Sequence, residues 1–530
     1  MPKRILALVL LAGCCAIALA QSVPSLKPTS VLGRVAAGAA DPADITLPEV
    51  MLFSACRQRE LTGGGSEGVD QQIAQYRAMV HDGSRKVGNE WLGRPQQQRL
   101  RTEFDRRLAE AKKLLQQDKS AGSSTYSPAP SARPAPARPN HEPQAMQIEQ
   151  QAALNWVDPA LRELMLADLE LRQKNYKAAE TRLLHNVERD PFVAAYHQGR
   201  GLALVGLNQP LEALGEFTAC LLLRDDSAAA YELVAKAMEA VPGAKVADPI
   251  YVRAKDLLDR YDAPKTSSLD AAKSPTAPAK PIDWLMPGKS WLAKDPTLFT
   301  PPVDRIVTKQ ALAIPISEDT LLTDQQAVDG AELIYVRLTP DMVVRAELVK
   351  PSTGASESRP AGQARLALLK VKGVTFTPVA VDKPPTLAVG QAVNLQAVNL
   401  YRQQGSEMRE QAAKLAIADS ATTLDKSLLP GEAMGVVTAG GQYAGLISGR
   451  TDVEDPVCGK AAFIAAADIA AVLPQARKSS FGSYSGSYSG YGSSGTLHAK
   501  KDAPPLKATG NIFVIETLTG EKPPTSLLSK

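Results

Sequence analysis

Histidine and cysteine are both scarce in this chain of 530 residues, which holds five of each. Two of the cysteines, Cys14 and Cys15, fall in an apolar N-terminal run, leaving Cys56, Cys220 and Cys458. That is too few for a disulfide scaffold in a chain of this size; one pair with a leftover thiol is the most they allow. Neither residue type clusters at metal-ligand spacing, so no metal site is expected. There is no glycine-rich phosphate loop and no Ser/Lys arrangement of familiar spacing, and no cofactor is expected. Charge of one sign is lacking too: Lys and Arg total 60 against 56 for Asp and Glu, which argues against nucleic acid as a partner. What is present, 44% hydrophobic and 22% charged residues, suits two to four soluble globular domains.

The one long apolar run lies at the N-terminus. Met1-Pro-Lys-Arg precedes it, and it closes with Ala18-Leu-Ala20 before Gln21, the pattern of a cleaved secretory signal over residues 1–20. It is shorter than the roughly 20 residues that span a bilayer. Within it, Leu11-Ala12-Gly13-Cys14 resembles the bacterial lipobox, so the alternative to soluble export is a lipid on Cys14. Both readings place the protein in the periplasm or at the envelope, with a membrane as partner only through that lipid.

Three stretches rich in Pro, Ala, Ser and Gly, at 119–145, 263–282 and 479–506, are too polar to offset chain entropy by burial and are expected to be linkers. The last contains Phe481-Gly-Ser-Tyr-Ser-Gly-Ser-Tyr-Ser-Gly-Tyr491. Residues 45–118 have helical periodicity, clearest over Gln71 to Val80 and Gln96 to Gln117. Residues 146–262 repeat at a period of 34. Ala167, Gly201 and Ala235 fall one period apart, as do Ala179, Ala213 and Ala247, and a larger column holds Leu183, Phe217 and Tyr251. With Asn175-Tyr176 at a turn and Asp190-Pro191 closing the first unit, this resembles three tetratricopeptide repeats. In the third unit Pro249 is tolerable only if the helix starts at about Asp248, with proline in its first turn. Such stacks bind peptides or partner proteins on a concave face; His185 and His197 there are expected to be packed or surface residues.

From 300 to 475 the pattern changes to short strand-like runs, among them Leu333 to Leu338, Val343 to Leu348, Ala364 to Val371, Val389 to Val398 and Met434 to Thr438. Several resemble, in order, the trypsin-like proteases of the bacterial Do (HtrA) type. Ile316-Ser-Glu-Asp-Thr-Leu-Leu-Thr-Asp-Gln-Gln-Ala-Val328 is similar to the family's I-S-E-D-G-x-x-L-T-N-x-H-V-V, Ala364-Arg-Leu-Ala-Leu-Leu-Lys370 to S-D-L-A-L-L-K, and Gly431-Glu-Ala-Met-Gly435 to G-N-S-G-G. The resemblance implies a double β-barrel, and it puts Gln326, Arg365 and Ala433 where the family has its catalytic histidine, aspartate and serine. None of these can do the chemistry required. Independently of any alignment, the histidines are His81, His141, His185, His197 and His498, so none lies between 300 and 475. The turn at Gly431 could still shape an oxyanion-hole-like feature. The pairs Glu318/Asp319 and Glu454/Asp455 suit solvated turns, and Ala439-Gly-Gly-Gln442 a hairpin turn. After the linker, 507–530 forms a tail with one strand-like run, Asn511 to Glu516.

The expectation is therefore a multidomain α + β chain: a helical region, a tetratricopeptide-like stack and a trypsin-like double barrel without a triad. It would be no enzyme but an exported scaffold binding other proteins. The alternatives are a serine endopeptidase that takes a non-standard or trans-supplied histidine, and an envelope component docking through its Tyr/Ser/Gly stretch.

Overall fold

The computed structural model describes residues 48–122, 141–262, 305–448, 462–469 and 497–521, with breaks at 88–89, 155–158, 242–247, 340–341, 350–365, 381–384, 402–407, 419–420, 427, 498–499 and 501–502. The leader with Cys14, Arg365, Glu454, Asp455, Cys458 and most of the three low-complexity stretches lie outside these residues. Among the described residues no helix is long and apolar enough to cross a membrane.

The chain starts with α1 (Pro48–Leu61) and α2 (Glu67–His81), which close on each other through Leu52, Ala55, Cys56 and Ile73. Ser66 caps α2 by accepting a hydrogen bond from the Val69 N–H, which satisfies one of the donors a helix start leaves open. A two-stranded hairpin, β1 (Arg85–Val87) and β2 (Glu90–Leu92), follows, a departure from the all-helical expectation for this region. The long α3 (Arg94–Gly122) packs against α4 (Glu142–Leu154), both running into the 119–145 stretch.

Then come α5 (Pro159–Arg172), α6 (Tyr176–Arg189), α7 (Ala194–Gly206), α8 (Pro210–Leu223), α9 (Ala228–Ala240) and α10 (Pro249–Leu258), each packed on the next. The period of 34 extends to the backbone. Lys174 and Asn208, one period apart, both adopt φ near +60° in the turns after α5 and α7. The surrounding bonds repeat at the same offset: the Asn175 N–H reaches the Glu170 carbonyl and the Gln209 N–H the Leu204 carbonyl, both at 2.8–2.9 Å. Ala167 and Gly201, Ala179 and Ala213, Leu183 and Phe217 are all buried, while Ala235 and Tyr251 of the third pair are half-buried. Gly201 is obligatory, since a Cβ there would stand 2.4 Å from the Phe217 ring. Pro249 sits in the first turn of α10 behind an Asp248 cap, as its position required.

The β region forms two barrels. The first is a closed antiparallel barrel containing β3 (Arg305–Pro315), β4 (Thr320–Asp324), β5 (Leu333–Thr339), β6 (Met342–Val349) and β7 (Leu366–Val371), with the single helical turn α11 (Gln325–Val328) after β4. Beside it lies β8 (Val374–Phe376). The second is a six-stranded antiparallel sheet of β9 (Ala392–Asn399), β10 (Arg409–Ala418), β11 (Ala421–Leu424), β12 (Glu432–Ala439), β13 (Gln442–Ser448) and β14 (Ala462–Ala465). Its order is β11-β10-β9-β12-β13-β14, and its edges approach each other, so it is nearly closed. Two alternating faces along each strand account for the layering. On β3, Ala311 and Ala313 point into the first barrel, whereas Leu312 and Ile314 meet Val398, Met434, Val436 and Leu446 of the second.

The sixth strand of the first barrel comes from much further along the chain. After β15 (Leu506–Ala508), which pairs in parallel with β8, β16 (Phe513–Glu521) lies between β3 and β5, antiparallel to both. The run set apart by sequence as a tail is thus the barrel's closing strand, and the barrel is completed from outside the 300–475 segment. Its alternation explains why: Phe513 and Ile515 enter the barrel core, and Val514 faces the seam between barrels.

The helices dock on the outer face of β5, β6 and β16. Leu333, Tyr335 and Leu518 belong to the same core as Leu164, Leu183 and Phe217. Tyr335 is fully buried, its hydroxyl donates to the Leu223 carbonyl at 3.0 Å, and its ring stacks on Phe192 at 5.9 Å. Arg345 pairs with Asp226 at 2.8 Å beside it.

Candidate functional site

The positions that the resemblance made critical are built by two short elements at the barrel seam. Asp324, at the end of β4, turns the chain into α11 by accepting the Gln326 N–H at 2.6 Å, so Gln326 lies in the first turn. The turn is pinned from β16 and β3: the Thr517 hydroxyl donates to the Ala327 carbonyl at 2.7 Å, and Lys309 Nζ to the Gln326 carbonyl at 3.3 Å. Ala433, on β12, is buried in one cluster with Ala327, Val328 and Leu400. The Gln326 turn and Ala433 thus border one core, whereas Arg365 is outside the described residues.

Asp324 has the most altered acidity nearby. Burial pushes its carboxyl up to about 7, against the opposing effect of the Gln326 N–H and the Ser448 hydroxyl, which donates to Oδ2 at 3.2 Å. Among the described residues no imidazole is bonded to it. His197 is engaged in the helices, with Nδ1 2.7 Å from Glu216 and Nε2 2.8 Å from the Pro191 carbonyl. Burial raises the Glu216 carboxyl, but His197 and Arg200 outweigh it and hold the group below the usual carboxylate range.

The turn before Ala433 is tightly closed. Gly431 takes φ +91°, where a side chain is strained, and its carbonyl accepts the Leu400 N–H at 2.7 Å. The Glu432 N–H goes to the Leu429 carbonyl at 2.9 Å, and the Glu432 carboxylate accepts the Leu429 N–H at 2.8 Å. That carboxylate is only 1% exposed and receives a two-pronged contact from Arg409, at 2.8 and 2.6 Å. Buried charge of this kind persists only when it is paired.

Over this turn lies α1. Phe53 stacks on Tyr401 with centroids 5.9 Å apart, and a Cβ on Gly431 would stand 3.4 Å from the Phe53 Cβ. Four residues on, Arg57 reaches Asn399 Oδ1 at 3.2 Å and Glu432 Oε1 at 3.0 Å. The oxyanion-hole-like turn anticipated at Gly431 is thus covered, and its Glu432 N–H is spent inside the turn. This four-residue constellation of Phe53, Arg57, Asn399 and Glu432 escaped the sequence reading. Its one signal was a glutamate opening the otherwise apolar run Glu432-Ala-Met-Gly-Val-Val437.

The remaining candidates are structural. Cys56 and Cys220 are buried in separate clusters and are not bonded to each other, and burial pushes the Cys56 thiol up. Asp319 is engaged by Thr320, Ser317 and Lys370 in the β3–β4 turn, and Gly440 and Gly441, both at positive φ, make the β12–β13 hairpin turn. Compared with family models and with curated proteins, the chain matches none.

Proposed function

We propose that this chain is an exported, non-catalytic binding protein in which a degenerate trypsin-like double barrel of the Do type is joined to a tetratricopeptide-like stack. One observation carries the reading. The turn of Gln326 and the strand of Ala433, which the resemblance sets at the histidine and serine positions, border one core; neither side chain can transfer a proton or attack a carbonyl, and α1 covers the turn before Ala433. Loss of a triad serine or histidine costs about 10⁶-fold in turnover, which leaves no useful proteolysis. The repeated turns at Lys174 and Asn208 support the stack, whose recognition surface would take other proteins or peptides.

The test is labelling of the purified protein with a fluorophosphonate probe, beside casein digestion and an active trypsin control. Neither labelling nor digestion is expected; specific labelling of any serine would overturn the reading.

A further inference from the structure

We infer that the turn carrying Glu432 is a ligand site for a helical segment bearing an aromatic residue and, four positions later, an arginine, and that α1 occupies it in cis. The inference rests on reading the barrels as a binding module.

The seat is complete without α1. Glu432 keeps both prongs of Arg409 and the Leu429 N–H when Arg57 is removed, so its buried charge is not stranded. Asn399 stands opposite Glu432 in the β9–β12 register, which fixes the amide and the carboxylate side by side. Tyr401 supplies an aromatic face next to them, and Gly431, lacking a Cβ, leaves room for a ring. A prearranged set of this kind loses little on binding.

Two side chains of the occupant make the aromatic and charged contacts with the seat. Leu52, Ala55 and Cys56 of α1 pack against α2, while Phe53 and Arg57 reach the second barrel. Residues four apart share one helix face, which is why this pair can serve ring and carboxylate together. The two-pronged approach, Nη1 to Asn399 and Nη2 to Glu432, suits the planar guanidinium and not the point charge of lysine. A partner helix with the same spacing would displace α1 and expose the α1–α2 pair.

The experiment uses the full chain and a fluorescein-labelled peptide of residues 48–61, followed by anisotropy. Phe53→Ala/Arg57→Ala should bind the peptide at least tenfold more tightly than the unaltered chain, because the cis competitor is weakened. Peptide with Arg57→Lys should bind at least tenfold less tightly, and adding Glu432→Gln to the chain should remove binding. Arg57→Ala alone serves if the double variant does not fold. Equal, weak binding by the folded variant and the unaltered chain, or binding indifferent to Glu432→Gln, would overturn the inference. That failure is distinct from failure of the pseudoprotease reading, which the fluorophosphonate labelling decides.

Discussion

Asp324 is the residue whose burial has the clearest consequence in solution. Its folded carboxyl titrates at about 7 against the usual 3.8, so the folded chain holds a proton that the unfolded chain releases in between. Its favourable contribution is fully present below about pH 4 and is lost as pH rises through about 7, at about 1.4 kcal/mol per unit. Asp324→Asn keeps the acceptor for the Gln326 N–H and never ionises. Thermal unfolding from pH 4.5 to 8 should show a decline in the unaltered chain that the variant lacks, with the variant the more stable at pH 8; parallel curves would refute it. At this scale the sequence was informative about what is missing, since Gln326 and Ala433 are legible as positions without imidazole or hydroxyl. The burial of Asp324 and the pairing of Glu432 were not legible in it, because a carboxylate's burial depends on strands paired from distant parts of the chain, and one-dimensional pattern carries no such pairing.

At the scale of elements, local periodicity was a good guide. Ala167, Gly201, Ala235, Ala179 and Ala213 all fall within helices, Ala247 lying outside the described residues, and Leu333 to Leu338, Val343 to Leu348 and Met434 to Thr438 fall within strands, because both patterns follow from backbone geometry alone. The hairpin β1–β2 was missed for being short, and Asn511 to Glu516 was recognised as strand-like but not assigned to the barrel. That strand buries Phe513, Ile515 and Leu518. At about 1.5–3 kcal/mol for each such side chain, their loss rivals the whole stability of a typical domain. A chain ending at Gly510 should therefore lose cooperative unfolding by circular dichroism and become cleavable in β3 and β5 under limited proteolysis, while α5 to α8 stay resistant. Retention of a sharp transition would show that five strands suffice.

For the whole molecule, the arrangement of α1, the two barrels and the helices sets what can be regained by mutation. Under the proposed alignment, Gln326→His, Arg365→Asp and Ala433→Ser together supply the side chains of a triad, but the turn beneath Phe53 remains closed by Arg57, Arg409 and Glu432. Geometry, not only residue type, is what a triad requires. The triple variant should give neither casein digestion nor fluorophosphonate labelling above the unaltered chain. Labelling would mean that α1 moves aside readily. The docking of helices on β5 through Tyr335 and Leu223 lay beyond the sequence reading, since an outward-facing tyrosine on a barrel strand is equally suited to solvent.

The pairing of β16 with β3 also sets a clock on synthesis. Thr517 bonds to a residue 208 positions earlier, a span that takes on the order of 10 to 40 s to make at ribosomal rates of about 5–20 residues per second. Throughout that interval β3 and β5 wait with open edges, the kind of surface that recruits strands from other chains. A polypeptide stopped anywhere before residue 513 would thus declare itself incomplete to chaperones and proteases by the gap in its first barrel.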